Sequence, residues 1–284
     1  MFNQTEILKE VKKLSINTEN KIAVYTAVTN SYDKIWEPTV KSKNIDYFLF
    51  TDNAETKKST SWNIKKINFE YRDPRRLAKI FKILPHFLFV NYRYSIWVDA
   101  NVEILDNLED LINIYLEKSN NFISFFNHPK RSCIYDEAKN ILSFGYGDKN
   151  MVSNQINHYK SLNYPKNNGL IVGRFIIRKH NNEDCKKLME KWWKEIDSNS
   201  SRDQLSFNFS SWQLGYNYEV ININHYDNNY FKIHPHPRIK FYNEKGVQIF
   251  NINILKGIFI HFITSKSFYT KFFRKYYFLF KSKF

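Results

Sequence analysis

The sequence has few cysteines, no long hydrophobic run and no glycine-rich phosphate-binding motif, and each absence excludes a class of protein. Two cysteines in 284 residues cannot build a disulfide framework, so we expect a reducing compartment. No apolar run approaches the roughly 20 residues of a membrane-spanning helix, and residues 1–20 lack the apolar core of a secretory signal. Neither a Gly-x-Gly-x-x-Gly after the first predicted strand nor a Walker-type loop occurs, which disfavours dinucleotide-binding and P-loop proteins. A cytoplasmic protein is therefore expected.

The positive charge of the chain is concentrated at its end. The net charge is +15, and residues 245–284 hold eight Lys or Arg and no Asp or Glu. In a helical projection of residues 267–284, most of the nine aromatic residues fall on one side and most of the basic residues on the other. This composition is typical of a helix that lies on an anionic membrane surface. The alternatives are docking of the aromatic side onto the domain and, less favoured, nucleic-acid binding.

The hydrophobic pattern predicts an α/β fold. Short β-rich runs end in polar residues, as in sheets that bind ligands beyond their carboxyl ends; they are residues 21–29, 47–50, 62–67, 95–98, 122–126 and 170–178. Helical patterns lie among them, at residues 5–14, from 73, at 108–116, from 135, at 155–159, at 185–196 and from 203. We expect a central mixed, mostly parallel sheet flanked by helices.

The strongest candidate site is Asp99-Ala100-Asn101, which directly follows a predicted buried strand. Residues two apart in a strand point to one face, so the side chains of Asp99 and Asn101 are expected to aim together. Their oxygens suit a hard divalent cation, Mn²⁺ or Mg²⁺, that keeps several waters and is shared with phosphates. His261, in a last predicted strand, is the candidate for a third metal ligand. The alternative is a structural turn after a buried strand.

A second candidate is the helix that begins at Asp73-Pro74, with Asp73 as the N-cap and Pro74 at the first helical position. Arg76 and Lys79 share a face in its first turns, where cations oppose the helix dipole. A diphosphate is the anion that such a pair would bind. The alternative is a pair of solvated surface charges.

Three further side chains are candidates for contact with a substrate. His128 lies on the loop after the strand at residues 122–126. Asp203 and Gln204 open a later helix, where they would present a carboxylate and an amide to a transferred sugar. The alternatives are structural: a histidine that makes local hydrogen bonds, and a carboxylate favoured by the positive end of the helix dipole.

The order and spacing of several segments resemble a known family. The segments are Tyr25-Thr26-Ala27-Val28-Thr29-Asn30-Ser31-Tyr32, Arg76-Leu77-Ala78-Lys79, Leu84-Pro85-His86, Ile96-Trp97-Val98-Asp99-Ala100-Asn101, His128-Pro129 with Arg131, Tyr135-Asp136-Glu137-Ala138, Trp192-Trp193 and Arg202-Asp203-Gln204-Leu205-Ser206-Phe207. Together they lie within residues 21–215 and resemble the GT-A-type glycosyltransferase-like family of plant and bacterial polysaccharide synthesis. The chain is more distantly similar to the glycogenin-like family 8 transferases.

The resemblance implies a GT-A, Rossmann-like domain that binds a nucleotide diphosphate sugar, with a UDP-sugar as the expected donor. It implies that Thr26, Asn30 and Tyr32 lie near the nucleotide. Arg76 and Lys79 would lie near the base, the ribose or the diphosphate.

The resemblance also implies roles for the metal and sugar candidates. Asp99 and Asn101 correspond to the Asp-x-Asp metal motif, with Asn101 in place of the second Asp. His261 resembles the late metal-binding histidine of family 8, and Asp203-Gln204 resembles the segment near the transferred sugar.

We therefore expect a hexosyltransferase that moves a sugar from a nucleotide diphosphate sugar to a glycan acceptor in surface-polysaccharide or lipid-linked glycan synthesis. The predicted domain spans residues 21–263, between a helical extension at 1–20 and a basic tail at 264–284 that would hold the enzyme on the inner face of a membrane. The alternative is a non-catalytic protein that binds nucleotide or glycan on the same fold.

Overall fold

The computed structural model describes residues 4–17, 21–53 and 59–235. Its strands are β1 (Ile22–Val28), β2 (Ile45–Thr51), β3 (Asn63–Lys66), β4 (Tyr94–Val98), β5 (Val102–Ile104), β6 (Ile123–Asn127), β7 (Ile171–Arg178), β8 (Glu219–Val220) and β9 (Phe231–Ile233). Seven of them form one sheet in the order β3-β2-β1-β4-β7-β6-β8. Within it only β7 runs antiparallel to its neighbours. β5 and β9 form a separate antiparallel pair.

Helices cover both faces of the seven-stranded sheet. They are α1 (Gln4–Lys13), α2 (Pro74–Ile83), α3 (Glu109–Ile112), α4 (Ile134–Phe144), α5 (Lys149–Ser161), α6 (Glu183–Ser198) and α7 (Asp203–Leu214). Successive strand residues alternate between two cores, as a pleated strand requires. Tyr25 and Trp97 share one core with α1, α2 and α6, whereas Val24 and Ile96 share the other with α3. Because both faces are buried, every residue of β1 and β4 is buried.

Local capping fixes the position of α2, which later supplies two lysines to the site. The carboxylate of Asp73 accepts hydrogen bonds from the backbone N–H groups of Arg75 and Arg76, and Pro74 occupies the first turn. The helix ends at Ile83, and Pro85 begins a 3₁₀ turn (Pro85–Phe87) because proline cannot continue the hydrogen-bond ladder. The predicted N-cap residue, Asp73, is confirmed.

The predicted mixed, mostly parallel α/β sheet is confirmed, and two helices differ from their predicted lengths. The short helix expected at residues 155–159 is part of the longer α5, and the helix expected at 108–116 is α3 followed by a π-helical turn (Asn113–Glu117). None of the described helices has both the length and the apolar character that crossing a membrane needs. His261 and the basic tail at 264–284 lie outside the described residues, so their predicted roles stay predictions.

Candidate active site

Polar residues gather where the parallel strands β1, β2 and β4 end. The turn after β1 brings Asn30 to the end of β2, and its backbone N–H lies 2.9 Å from one carboxylate oxygen of Asp52. Asn30 has a φ of 54°, a left-handed conformation that asparagine tolerates better than most residues. Asp99 follows the last residue of β4 at the same edge of the sheet. This edge therefore holds Asn30 and Asp99, which were predicted to lie near a nucleotide and a metal ion.

The centre of the edge is a carboxylate–lysine cluster, which we define as Asp99, Asp203, Lys79 and Lys82. The Asp203 Oδ2 atom lies 2.7 Å from Lys79 Nζ and 2.6 Å from Lys82 Nζ. Lys82 Nζ also lies 3.5 Å from Asp99 Oδ1. Lys82 thus contacts two carboxylates that are 104 residues apart in the chain. Through this side chain, α2 links the end of β4 to the start of α7.

Charge balance within the cluster keeps both carboxylates ionised. Burial would raise the pKa of Asp203, but the ammonium groups of Lys79 and Lys82 outweigh burial and hold that pKa far below its usual range. Burial likewise opposes ionisation of Asp99, yet Lys82, Lys79 and Arg174 lower its pKa. For Lys82, the two carboxylates overcome burial and raise the pKa. The cluster therefore holds two negative and two positive groups at neutral pH.

Lys79 is the lysine of the cluster that loses its proton more readily, and we expect its amine to titrate near pH 8. Burial lowers the pKa of Lys79 to about 8, although Asp203 opposes the shift. Because the unfolded chain keeps this proton up to a pKa of 10.5, Lys79 makes the fold more stable as the pH rises from about 8 to 10.5. Reductive ¹³C-methylation and NMR should show one lysine resonance that titrates near pH 8 and is absent from a Lys79→Arg variant. A spectrum without such a resonance would contradict the expectation.

A glycine in β7 lets the cluster pack against the sheet. A Cβ atom at Gly173 would lie 2.9 Å from Asp203 Oδ2 and 2.9 Å from Lys82 Nζ. Contacts of that length do not occur in folded proteins, so any side chain here would displace the ion pair. The cluster therefore lies directly on the backbone of β7, one residue before Arg174.

The metal candidates Asp99 and Asn101 differ from the predicted arrangement. β4 ends at Val98, and the Asp99 carbonyl accepts a hydrogen bond from the Val102 N–H at 2.9 Å, which closes a turn. The prediction that both side chains share one face of a strand is therefore wrong, because residues 99–101 are not in a strand. The carboxylate of Asp99 accepts from Trp97 Nε1 at 2.8 Å, whereas Asn101 Nδ2 donates to the His234 carbonyl at 2.7 Å.

The oxygen atoms of these two residues still suit a hard cation. Asn101 is buried, and its Oδ1 atom has no hydrogen-bond partner among the described residues. A buried amide oxygen without a donor is the kind of atom that an ion or water satisfies. The side chain of Asp99 is 34% exposed and open to a ligand. Over residues 4–17, 21–53 and 59–235, no group of three or more His, Cys, Asp or Glu is placed to hold a metal, so these two oxygens are the described donor set.

The residues predicted near the nucleotide occupy different environments. Arg76 is 3% exposed: its guanidinium donates to Asp73 at 2.7 Å and to backbone carbonyls at the end of α6, so a nucleotide contact would require this network to open. Thr26 lies inside β1 and is 1% exposed, with its hydroxyl unpartnered among the described residues. Tyr32 is 37% exposed and lies within electrostatic reach of Arg75, Arg202 and Asp99. Tyr32 and Asn30 are thus the accessible members of the set.

Gln204 and His128 are tied to the backbone around them. Gln204 Nε2 donates to the Ile171 carbonyl at 3.0 Å and so holds the start of β7. His128 Nδ1 accepts from the backbone N–H groups of Lys130 and Arg131 at 3.2 and 3.1 Å. Burial and the charges of Arg131 and Lys130 lower the pKa of His128 to about 4, so the ring is neutral at pH 7. Catalytic action by His128 as a proton acceptor would require its turn to open.

Sequence reasoning missed three residues that the structure brings to the site: Lys82, Arg174 and His225. Lys82 lies three residues after Lys79, a spacing that puts both on one face of α2, and this spacing was the available signal. The backbone of Arg174 lies next to that of Asp99: the Asp99 N–H donates to the Arg174 carbonyl at 2.9 Å. The Arg174 guanidinium lies 3.1 Å from His225 Nε2. No local pattern marks Arg174 or His225, because pairing of β7 with β4 brings Arg174 here and a contact with Arg174 brings His225.

Comparison with known proteins shows the family of this chain. Residues 3–236 match the family model of a glycosyltransferase-like domain, described as TOD1/MUCI70. The match covers most of the chain, so the chain belongs to the TOD1/MUCI70 glycosyltransferase-like family. The predicted resemblance to a GT-A-like glycosyltransferase family is confirmed.

Two individual proteins are similar to this chain. The probable hexosyltransferase MUCI70 of Arabidopsis thaliana is 27% identical over an alignment of 230 residues, which covers 70% of this chain and 39% of that protein. The chain thus corresponds to well under half the length of this relative. Among solved structures, the apo structure of the WbbM bifunctional glycosyltransferase aligns with a TM-score of 0.43 and 8% identity, over 71% of this chain and 39% of that one.

Proposed function

We propose that this domain transfers a hexosyl group from a nucleotide diphosphate sugar, expected to be a UDP-sugar, to a glycan acceptor. Membership of a glycosyltransferase-like family and the similarity to a probable hexosyltransferase support this class of reaction. The observation that carries the proposal is the carboxylate–lysine cluster, because it places ionised carboxylates and ammonium groups together at the carboxyl edge of an α/β sheet.

The charges of the cluster match those that develop during glycosyl transfer. As the bond to the diphosphate breaks, the sugar gains oxocarbenium-like positive charge and the leaving diphosphate gains negative charge. The ionised carboxylate of Asp203 would stabilise the sugar, and the ammonium groups of Lys79 and Lys82 would stabilise the diphosphate. Since these groups are already fixed by one another, little reorganisation is needed when the charge appears.

Asp99 and Asn101 would hold a divalent cation, Mn²⁺ or Mg²⁺, at the edge of the cluster. Their carboxylate and amide oxygens are of the type that such cations bind, and the Asn101 oxygen is unpartnered among the described residues. When bound, the cation would supply positive charge to the diphosphate leaving group. Asn101 in place of a second carboxylate reduces the negative charge of this donor set, so weak binding of the free ion is expected.

A second function on the same fold is binding of nucleotide or glycan without catalysis. The pairing of both lysines with Asp203 is the observation that favours it, because ammonium groups already satisfied by a carboxylate need not act on a substrate. The two functions differ in what the loss of Asp99 should do. An enzyme loses turnover, whereas a binding protein keeps its ligand.

We expect replacement of Asp99 by alanine to lower donor hydrolysis by about 10²- to 10³-fold, the usual effect of removing one preorganised electrostatic group. Purified protein would be assayed for nucleotide diphosphate release from UDP- and GDP-hexoses, with and without Mn²⁺. Asp184→Ala, at an exposed position on α6, is the matched control and should keep full activity.

Two results would contradict the proposal. Equal release by the native protein and the Asp99→Ala variant would show that the cluster is not the site of reaction. Nucleotide binding by calorimetry that is unchanged in Asp99→Ala, with no release from any donor, would favour the binding protein.

A further inference from the structure

A cleft beside the carboxylate–lysine cluster has no role in the function proposed so far. It encloses about 530 Å³ where β6 ends and β7 begins, and we call it the β6–β7 cleft. Its walls include Asn127, Ser132, Asp136, Gly169 and Tyr218. The volume is within the range of small-ligand sites.

The cleft and the cluster are neighbours along the same strand. Leu170 lines the cleft, and three residues later Gly173 contacts the ion pair of the cluster. At a rise of about 3.3 Å per residue, these two points on β7 are about 10 Å apart. Helix α7 runs beside this part of β7. Its first residue, Asp203, belongs to the cluster, and five residues later the Asn208 side chain accepts a hydrogen bond from the Ile171 N–H at 3.1 Å. A ligand in the cleft would therefore lie next to a sugar held at the cluster.

His225 gives a second sign of this proximity. Its ring lies within electrostatic reach of both Asp99, at the cluster, and His128, on the wall of the cleft. It is 7% exposed and rests against Arg174. The Arg174–His225 pair therefore lies near both the cluster and the cleft.

The walls of the cleft are held in place before any ligand arrives. The Tyr218 hydroxyl lies 3.2 Å from Asn127 Oδ1 and 3.3 Å from Asn208 Nδ2. Gly169 has a φ of +84°, and a Cβ atom there would lie 2.9 Å from Asn208 Nδ2. Because glycine alone accepts this conformation and this contact easily, the backbone forms part of the wall. The cleft is preorganised, which lowers the entropic cost of binding.

The chemistry of the walls suits a ligand rich in hydroxyl groups and without charge. The guanidinium of Arg131 is paired with Glu137 at 2.6 Å, and the carboxylate of Asp136 with Lys139 at 2.9 Å. Lys130 is exposed at the rim, where water and salt screen its charge. What remains within the walls is the neutral imidazole of His128, an amide, a phenol and a serine hydroxyl, all of which form hydrogen bonds with hydroxyl groups.

We propose that the β6–β7 cleft is the acceptor subsite and binds an uncharged hexose unit of the acceptor glycan; this rests on the proposed function. One hydroxyl oxygen of that unit forms the new bond to the anomeric carbon of the donor sugar. The bond from that carbon to the diphosphate oxygen breaks, its electron pair stays with the diphosphate, and the leaving diphosphate takes up the hydroxyl proton.

The test fills the cleft and compares transfer with hydrolysis. Ser132→Trp places an indole on an exposed wall position, and Ser143→Trp, at an exposed serine near the end of α4, is the matched control. Methyl hexopyranosides of the gluco, galacto and manno series serve as acceptor probes, detected by mass spectrometry of the disaccharide product. Saturation-transfer NMR measures their binding without any turnover. We expect Ser132→Trp to lower the ratio of transfer to donor hydrolysis at least tenfold and to remove the NMR signal, while Ser143→Trp changes neither.

A Tyr218→Phe variant gives a milder test, because it keeps the ring and removes the hydroxyl between Asn127 and Asn208. It should raise the acceptor KM several-fold more than it changes hydrolysis. The proposal is overturned if Ser132→Trp lowers hydrolysis and transfer equally, if it leaves transfer unchanged, or if the native protein binds none of the three glycosides. Failure of the proposed function is a separate outcome: the native protein would bind a glycoside in the cleft but hydrolyse no donor.

Discussion

Replacing Asp203 with asparagine is expected to destabilise the folded chain by about 3–5 kcal/mol, the usual cost of removing one partner from a buried ion pair. Asp203 is the only carboxylate in contact with Lys79 within the described cluster, and it makes the shorter of the two carboxylate contacts of Lys82. Lys82 is 2% exposed on its side chain, so water cannot replace the lost charge. Two ammonium groups would then face one another with only Asp99 to balance them.

Urea unfolding followed by circular dichroism measures this loss as a shift of the midpoint. Glu183→Gln, which removes one partner of an exposed pair on α6, should leave the midpoint unchanged. Adding Lys82→Met to Asp203→Asn should recover part of the stability, because it removes one uncompensated charge. The double variant would be folded and inactive, which separates the electrostatic role of the cluster from its structural one. A single variant as stable as the native protein would mean that the cluster is solvated.

Much of the fold could be predicted from local patterns. The runs that became β1, β2 and β4 are apolar on both faces, and a strand in the middle of a parallel sheet is the element that buries both. Asp73 and Pro74 marked the start of α2 because their capping chemistry is local. The antiparallel direction of β7 and the pairing of β5 with β9 could not be predicted, because both depend on contacts between distant parts of the chain.

The difference between local patterns and long-range contacts also explains which residues of the site could be predicted. Asp99 stood out at the end of a strand, Asp203 at the start of a helix and Lys79 in the first turns of α2, and the structure places all three in one cluster. Lys82 was missed because a lysine on an amphipathic helix usually faces water. Its burial is decided by Asp203, which is 121 residues away in the chain. Arg76 attracted attention as a cation in a first turn, but its own N-cap residue, Asp73, neutralises it.

Acid is expected to unfold this protein well above the pH at which its carboxylates titrate, because several histidines are buried in the neutral form. Burial lowers the pKa of His86 to about 3, that of His180 to about 4 and that of His225 to about 4, from a usual value of 6.5. Between about pH 4 and 6.5, the unfolded chain therefore binds more protons than the folded one. Stability is complete above pH 6.5 and is lost as the pH falls toward the folded-state values.

The expected loss is large. One pH unit within this window is worth at most about 1.4 kcal/mol for each group, so three histidines could remove about 6 kcal/mol by pH 5, against a typical domain stability of 5–15 kcal/mol. His86 makes the clearest test, because neither ring nitrogen has a hydrogen bond within the described residues. His180, Lys186, Arg178 and Lys12 all disfavour its protonation, and the half-exposed Glu190, 3.6 Å away, offers little compensation.

Replacing His86 with leucine should therefore make stability less dependent on pH, by removing an imidazole that resists protonation only while the chain is folded. Urea midpoints measured at pH 7, 6 and 5 would show the native protein losing stability steeply and His86→Leu losing up to about 2 kcal/mol less by pH 5. His158→Leu, on the exposed side of α5, is the control and should follow the native curve. If His86→Leu also followed the native curve, the proton uptake that drives acid unfolding would have to come from the other buried histidines. The core around His86, in the 3₁₀ turn, would then already tolerate a charged imidazole ring.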